Sequence, residues 1–413
     1  MRPQVNIVRQ IASLGGNPPT RDGVTIFVVN SPDEYTLPDG DLIFNTLKDL
    51  EEAGITEAGD LANNYLLWEH CKDFFSLASG TELHILRVAE ATTFTNLFTD
   101  AGLSNTLLKN YLAEKSGSIK LLAVTLLPIG VETNTGLSTD LITAIPLAQV
   151  LADAEYTRLR PIDIILEGRA LGGTIAQAQD LRALASGNVS VVVARDGVRK
   201  SALTTAGNAG ASGYAQIGLL LGLIASIHVG RNVGRVRTGA LPNVSQAEFS
   251  GGQTPYSTIS EAGLDSLNDK GYIFMDKYPN KSGWFWNDDH TCTTVNQTNA
   301  YLALNRVLNK ASRIVVSTYV EELKDEILVD STTGQLAPII VKGFENRLQS
   351  AIENEMLANP DPTRDREISS VKVSIDPAQN VLATSKIVAQ LQIIPLATAR
   401  IIETLVELIN PNS

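Results

Sequence analysis

The segment YAQIGLLLGLIASI, residues 214–227, is apolar on nearly every side if it is helical. Gly218 and Gly222 are four residues apart, so they share one helix face, and without Cβ atoms they let another element pack closely there. The most apolar part, Ile217–Val229, has only 13 residues, which is too short to cross a bilayer. We therefore predict a helix buried in the core of a folded protein.

Upstream of this helix, β-branched apolar runs alternate with helical patterns. The runs are Val24–Val29, Leu83–Val88, Ile119–Leu127, Ile162–Leu166 and Val189–Val193. Two helical patterns lie between them, at Leu61–Leu77 and Ile175–Leu184. Continuous apolar strands separated by helices are typical of a sheet that is covered on both faces. The sequence therefore predicts an α/β domain with a mixed sheet over residues 24–235.

Downstream, a loop or crossing segment at Thr238–Ser260 precedes two expected short strands, Tyr272–Met275 and Gly283–Trp286. Residues 299–328 then carry the apolar stripe of an amphipathic helix. The stripe consists of Tyr301, Leu304, Val307, Leu308, Ala311, Ile314 and Val315. Pro338 opens a second helix, which the sequence NPDP at 359–362 ends.

A hairpin follows the two helices. Its first strand is Ile368–Ile375, and its second has apolar residues at alternate positions before Pro395. Those alternate residues are Ile387, Ala389, Leu391 and Ile393. We therefore expect an α+β region in the order helix, helix, hairpin over residues 236–398, crossing segment included.

The two ends of the chain read as extended arms. In residues 1–23, Val5 and Ile7 alternate with polar residues as in a strand, and GGNPP at 15–19 then breaks regular structure. This strand has no hairpin partner nearby, so it has to pair with a distant segment or with another chain. The C-terminal extension, residues 399–413, contains Ala399–Ile409, which suits either a short helix or a terminal strand.

Composition limits the classes of function. The chain has 413 residues, 44% hydrophobic and 19% charged, which fits a folded protein of more than one domain. A net charge of −12 argues against broad nucleic-acid or anionic-membrane binding. The cluster Arg231, Arg235 and Arg237 is an exception, read either as a solvated surface or as an interface with an acidic neighbouring subunit. The acidic pairs Glu321-Glu322 and Asp325-Glu326 read either as a solvated face or as a charged contact with a partner.

Motifs for catalysis or metal binding are weak. The sequence has no G-x-x-x-x-G-K-[ST], G-x-S-x-G or H-E-x-x-H motif, and Cys71 and Cys292 lack zinc-site spacing. The turn that contains Gly172-Gly173 lacks the G-x-G-x-x-G spacing of dinucleotide sites. The cluster of Asp288, Asp289, His290 and Cys292 reads better as a polar turn than as a metal site. We expect no catalytic residue, no metal and no cofactor.

The order of elements in the C-terminal half resembles that of contractile tail sheath proteins. The resemblance covers about residues 200–413, from the Gly218-x-x-x-Gly222 helix and Val233-Gly234 onwards. It continues through Glu261-x-x-Leu264-x-x-Leu267, Gly271-Tyr272, Asn305-Arg306-Val307 and Ile393-Ile394-Pro395. The earlier part of the chain is similar only in its α/β character.

This resemblance implies a structural protein of a bacteriophage tail or a contractile injection system. Subunits of this family form a homo-oligomer of stacked hexameric rings around an inner tail tube protein, and contraction drives the tube through a target envelope. Baseplate and terminator proteins are further implied partners, with no nucleic acid and no membrane insertion. The expected location is a virion tail or injection particle, after synthesis in the bacterial cytoplasm.

The resemblance also implies how subunits are linked. In the family, the N-terminal arm and the C-terminal extension of different subunits add strands to the hairpin of a third. The residues of this chain that we assign to the linkage are Val5, Ile7, Val8, Ile387, Leu391, Ile393, Ile402 and Val406.

Two alternatives stay open. One is an α/β enzyme that binds a small ligand in the crevice at the carboxyl ends of the strands, near Gly172-Gly173. The other is a sheath component of a type VI secretion machine. The sheath of such a machine is usually built from two different proteins.

Overall fold

The computed structural model describes residues 21–31, 42–100, 102–128, 134–357 and 366–403. It divides into two compact units, residues 1–326 and 327–413, here called unit 1 and unit 2. The boundaries that the sequence suggested, after residues 23, 235 and 398, stay predictions.

Unit 1 is built on a six-stranded sheet. Its strands are β1 (Thr25–Ser31), β2 (Leu42–Phe44), β3 (Leu83–Ala89), β4 (Leu121–Thr125), β5 (Asp163–Glu167) and β6 (Val189–Val192). They lie in the order β2-β3-β1-β4-β5-β6. All neighbours are parallel except β2 and β3. The mixed sheet is confirmed, and each of the five predicted apolar runs supplies one strand.

Ten α-helices of unit 1 are described. They are α1 (Leu47–Glu52), α2 (Glu57–Asn63), α3 (Leu67–Ala78), α4 (Phe94–Phe98), α5 (Leu103–Glu114), α6 (Thr139–Thr157), α7 (Gly197–Thr205), α8 (Ile217–Ser226), α9 (Glu261–Asp269) and α10 (Leu302–Tyr319). Two short antiparallel pairs accompany them, β7 (Ala194–Asp196) with β8 (Ala247–Phe249), and β9 (Met275–Asp276) with β10 (Phe285–Trp286).

The sheet is the centre of the core of unit 1. Every residue of β5 is buried, including the polar Asp163 and Glu167 at its ends. A strand that is buried throughout needs cover on both faces, which explains why the runs are apolar without alternation.

Unit 2 is small. It contains α11 (Pro338–Ile352), a π-helical turn at Glu353–Leu357, β11 (Ile368–Ile375), α12 (Val381–Thr384) and β12 (Ala389–Pro395). Strands β11 and β12 form an antiparallel pair. Its buried core cluster consists of Leu336, Val341 and Ile375. The predicted second helix and hairpin are therefore confirmed.

The helix predicted at Ile175–Leu184 is wrong. The structure has two short 3₁₀ turns there, Ile175–Gln177 and Leu181–Leu184. The intervening Gln179 accepts a hydrogen bond from the Leu137 backbone N–H, and the Leu181 N–H donates to the Lys270 carbonyl. These bonds to distant segments replace the bonds that a continuous helix needs.

Helix α8 packs closely against α3, as its two glycines predicted. A Cβ atom on Gly218 would lie 2.0 Å from the His70 carbonyl oxygen, and one on Gly222 would lie 2.6 Å from that of Phe74. Both contacts are with backbone atoms, which cannot rotate away. The two helices therefore approach each other at a distance that only glycine permits.

We predict that Gly218→Ala destabilises the protein by about 1–3 kcal/mol, because the added methyl overpacks the contact between α3 and α8. Chemical denaturation followed by circular dichroism measures the loss. Gly343→Ala is the matched control, since Gly343 lies in α11 with open space around its Cβ position. The control removes a helical glycine without a clash, so it should leave unit 1 unchanged and stabilise unit 2 by about 0.5–1 kcal/mol. Equal effects of the two substitutions on unit 1 would contradict the packing argument.

Candidate subunit-contact site

The hairpin of unit 2 is a sheet of only two strands. Among the described residues, no third strand pairs with the outer edge of β11 or of β12. Each outer edge of such a sheet carries backbone N–H and C=O groups that can bond an added strand. The hairpin therefore offers two places where another segment can extend it.

The two faces of the hairpin differ in character. Val373 pairs with Leu391 across the strands, and Ile375 pairs with Ala389. Val373 and Ile375 are buried, whereas Leu391 and Ala389 are half-buried. On β12 the alternate side chains face outwards, and Ile394 is 60% exposed. This alternation sets the register for any strand that joins the edge.

Helix α11 supports the hairpin through a carboxylate. The Ile375 backbone N–H donates to Glu345 Oε1 over 2.8 Å, and Lys342 Nζ lies 2.6 Å from Glu345 Oε2. The hydrogen bond from Lys342 and then that from the Ile375 N–H hold the pKa of Glu345 below its usual value of 4.5. The ionised side chain thus fixes the end of β11 on α11.

The structure brings part of the predicted linkage set together. Leu391 and Ile393 lie in β12, and Ile387 packs against the core of unit 2 just before it. Ile402 lies in irregular structure after β12 and is 83% exposed. The remaining members, Val5, Ile7, Val8 and Val406, lie outside the described residues.

The chain just before β1 is fixed to the rest of unit 1. Asp22 lies 2.9 Å from Lys310 Nζ and 3.4 Å from an Arg313 guanidinium nitrogen, both on α10. Burial alone would raise the pKa of the Asp22 carboxyl, but the two cations bring it below its usual range. A Cβ atom on the next residue, Gly23, would lie 2.6 Å from the Ala225 carbonyl oxygen. The chain is therefore held in place immediately before β1.

Sequence reasoning missed this anchor. Asp22 and its two partners on α10 are almost 300 residues apart in the chain, and no motif connects them. The only sequence signal for this anchor was that Lys310 and Arg313 are charged residues of a predicted amphipathic helix.

Asp289 and His290, whose side chains could bind a metal, instead form hydrogen bonds within the fold. Asp289 Oδ2 accepts the Ala303 N–H over 2.8 Å, which caps the start of α10. His290 Nδ1 accepts from Arg182, which can only donate, so His290 Nε2–H donates to Asn268 Oδ1. Within the described ranges, no three His, Cys, Asp or Glu side chains are arranged to hold a metal ion.

A crevice lies at the carboxyl ends of the parallel strands of unit 1. It offers about 400 Å³ of space, and its lining includes Thr92, Asn134 and the buried pair Glu167 and Arg169. Gly172 does not line it. A Cβ atom on Gly172 would lie 2.0 Å from the Asn134 carbonyl oxygen, so this glycine permits a close backbone contact.

Among the described helices, none combines the length and the apolar character that a membrane span requires.

Three solved structures share this fold over nearly the whole chain. A chain of the anti-feeding prophage (AFP) baseplate, 6-fold symmetrised, is 13% identical, with a TM-score of 0.57 and coverage of 98% of this chain and 99% of that one. A chain of an extracellular contractile injection system, the PVC sheath complex in the contracted state, is 14% identical, with a TM-score of 0.57 and coverage of 98% and 97%. The AFP baseplate in the contracted state gives 12% identity, a TM-score of 0.52 and coverage of 99% and 98%.

The fold is therefore that of contractile tail sheath proteins. Family models described as "DUF2586, N-terminal domain" and "DUF2586, C-terminal domain" match residues 2–290 and 300–413. The chain belongs to the DUF2586 family. No curated protein matches it in sequence.

The bond between Glu345 and β11 gives a pH prediction. Because the pKa of Glu345 is lowered on folding, its contribution is complete above the usual value of 4.5 and is lost as the pH falls through the lowered pKa. We expect protection of the Ile375 amide from hydrogen exchange, corrected for intrinsic exchange, to be lost as the pH falls below about 4.5. Glu345→Gln should lower the protection at the higher pH and reduce its dependence on pH. Glu355→Gln, at an exposed carboxylate of the following π-helical turn, is the control, and an identical pH profile in both variants would contradict the assignment.

Proposed function

We propose that this chain is the structural sheath subunit of a contractile tail or contractile injection system. It forms stacked hexameric rings around an inner tube and contracts to drive that tube through a target envelope. The observation that carries the proposal is the two-stranded hairpin, whose outer edges have no partner strand in the described part of the chain. The shared fold over almost the full length of a chain of the PVC sheath complex supports it.

Copies are linked by strand addition. The arm around Val5 and Ile7 of one copy and the extension around Ile402 and Val406 of another join the hairpin of a third. Backbone hydrogen bonds supply affinity, and alternate side chains of β12, with Leu391 and Ile393, supply register. The added strands supply the partners that the hairpin edges lack.

The ion pairs of Asp22 determine where a force on the arm would act on the subunit. The arm leaves unit 1 beside the ion pairs of Asp22 with Lys310 and Arg313. A pull on the arm therefore acts on α10 and on the start of β1. The GGNPP segment at 15–19 joins this fixed point to the linking strand.

Contraction draws its energy from the lattice. Extended and contracted arrangements of the rings bury different surfaces between copies, and burial of apolar surface releases about 25 cal/mol per Å². In this scheme the subunit needs no catalytic residue, metal or cofactor. Its partners are further copies, the inner tube, and baseplate and terminator proteins.

Negative-stain electron microscopy of the purified full chain tests the proposal. We expect hollow striated tubes from the full chain, and rings or monomers from a chain that lacks residues 1–20, because the linking strand is gone. Val5→Lys with Ile7→Lys should act like the truncation. Gln4→Lys with Asn6→Lys is the matched control, since it adds the same charge on the opposite side of the strand and should leave tubes intact. A monodisperse monomer at high concentration, unchanged by truncation, would overturn the proposal.

The crevice of unit 1 supports a second candidate, an α/β enzyme that binds a small ligand. Crevices at the carboxyl ends of parallel strands are common ligand sites, and this one has about 400 Å³ of space. Thermal denaturation with ADP or NAD as probes tests it. We expect neither to change the melting temperature. A saturable increase that is lost in Ala91→Trp, which fills the crevice from an exposed lining position, would favour the enzyme.

A further inference from the structure

A basic patch lies on two adjacent loops of unit 1. Its members are Arg235, Arg237, Lys277 and Lys281, and all four are exposed. The Leu241 N–H donates to the Trp284 carbonyl over 2.8 Å, which joins the two loops. Lys277 Nζ lies 4.2 Å from the centre of the Trp284 ring, so part of the patch rests on a buried aromatic side chain.

The charges of the basic patch are not neutralised within the subunit. None of its four side chains forms an ion pair with a carboxylate of the described residues. The carboxylates closest in sequence are already engaged, since Asp276 accepts from the Tyr256 hydroxyl and Asp288 from the Asn232 amide. A concentrated positive surface on a chain of net charge −12 is therefore available to an acidic partner.

The same unit carries an acidic segment, residues 322–326, after the end of α10, in which three carboxylates outnumber the one exposed lysine, Lys324. Asp325 and Glu326 are exposed there, and Leu323 between the carboxylates is 69% exposed. The hydrogen bond that the structure gives Asp325 Oδ1 is local, from the Glu326 N–H. Neither Asp325 nor Glu326 forms an ion pair with a described side chain, so both charges are available to a basic surface.

Residues 49–60 are another acidic stretch of unit 1, and they fit less well. In residues 49–60, Asp49 bonds the Thr46 N–H, Glu51 accepts from the Trp68 indole, and Glu52 pairs with Lys48. These carboxylates serve the local fold of α1 and its neighbours. The acidic segment is thus a better complement of the basic patch than residues 49–60.

We propose that the basic patch of one copy binds the acidic segment of a second copy. This contact rests on the proposed function, since it places two sheath subunits side by side. Copies of net charge −12 repel one another at long range, and local complementarity offsets that repulsion where they touch. It also fixes register, because a displaced neighbour would bring like charges together.

Charge reversal tests the contact in the full chain. Arg235→Glu with Arg237→Glu, and separately Asp325→Arg with Glu326→Arg, should each lower salt-dependent self-association by about tenfold. The chain with all four substitutions should regain it, because the charges are exchanged rather than lost. Sedimentation velocity at low and high salt measures association, and electron microscopy scores tubes. Lys48→Glu with Lys200→Glu is the control for the arginine reversal, since it makes the same change in net charge outside both surfaces and should have little effect.

The outcomes separate this contact from the sheath proposal. Unchanged association and unchanged tubes in both reversal variants would overturn the contact and leave the sheath function standing. A loss that the fourfold exchange does not restore would also overturn it, because the patch would then have another partner. Association that falls on reversal and returns on exchange, in a chain that forms no tubes, would support the contact while the sheath function fails.

Discussion

The close contact between α3 and α8 is the constraint on which unit 1 depends. A Cβ atom on Gly218 would lie 2.0 Å from the His70 carbonyl oxygen, so the two backbones meet almost directly. Helix α8 has no exposed side, since every residue from Ile217 to Ala225 is buried. Its C-terminal end contacts Gly23 at the base of the arm. A displacement of α8 would therefore disturb both the core and the place where the chain enters it.

Helix α10 is attached in a different way, through polar groups. Asn309 donates to the buried Asp163 of β5 over 3.0 Å, and Arg306 donates to the Ile227 carbonyl over 3.1 Å. Burial raises the pKa of Asp163 to about 6 despite these partners. Hydrogen bonds are directional, so a polar contact of this kind permits one register of the helix on the sheet, whereas an apolar face tolerates sliding. Such an attachment suits a helix that also holds the chain before β1 through Asp22.

Unit 2, in contrast to unit 1, has only a small sheet to stabilise it. Two strands alone are marginally stable in water, and here α11 covers one side of them. Within the described residues the outer edges have no partner strand, which suits the proposed addition of strands from other copies. A fuller sheet would be more stable in isolation but would leave no free edge for the proposed linkage.

The sequence by itself determined the features that depend on neighbours along the chain. The apolar runs located the strands of the large sheet, Gly218 and Gly222 identified the buried helix, and alternation located the hairpin. Only the tertiary structure decided features that depend on distant groups. Leu308, assigned to the buried stripe of α10, is 41% exposed. Asn305, Arg306 and Asn309 are buried instead, because Gly187 before β6, Ile227 after α8 and Asp163 of β5 supply their partners. The anchor at Asp22 and the joining of the basic loops likewise require contacts between remote segments. Periodicity reports which side of an element is apolar, but the partner of a buried polar group is set by what the fold brings beside it.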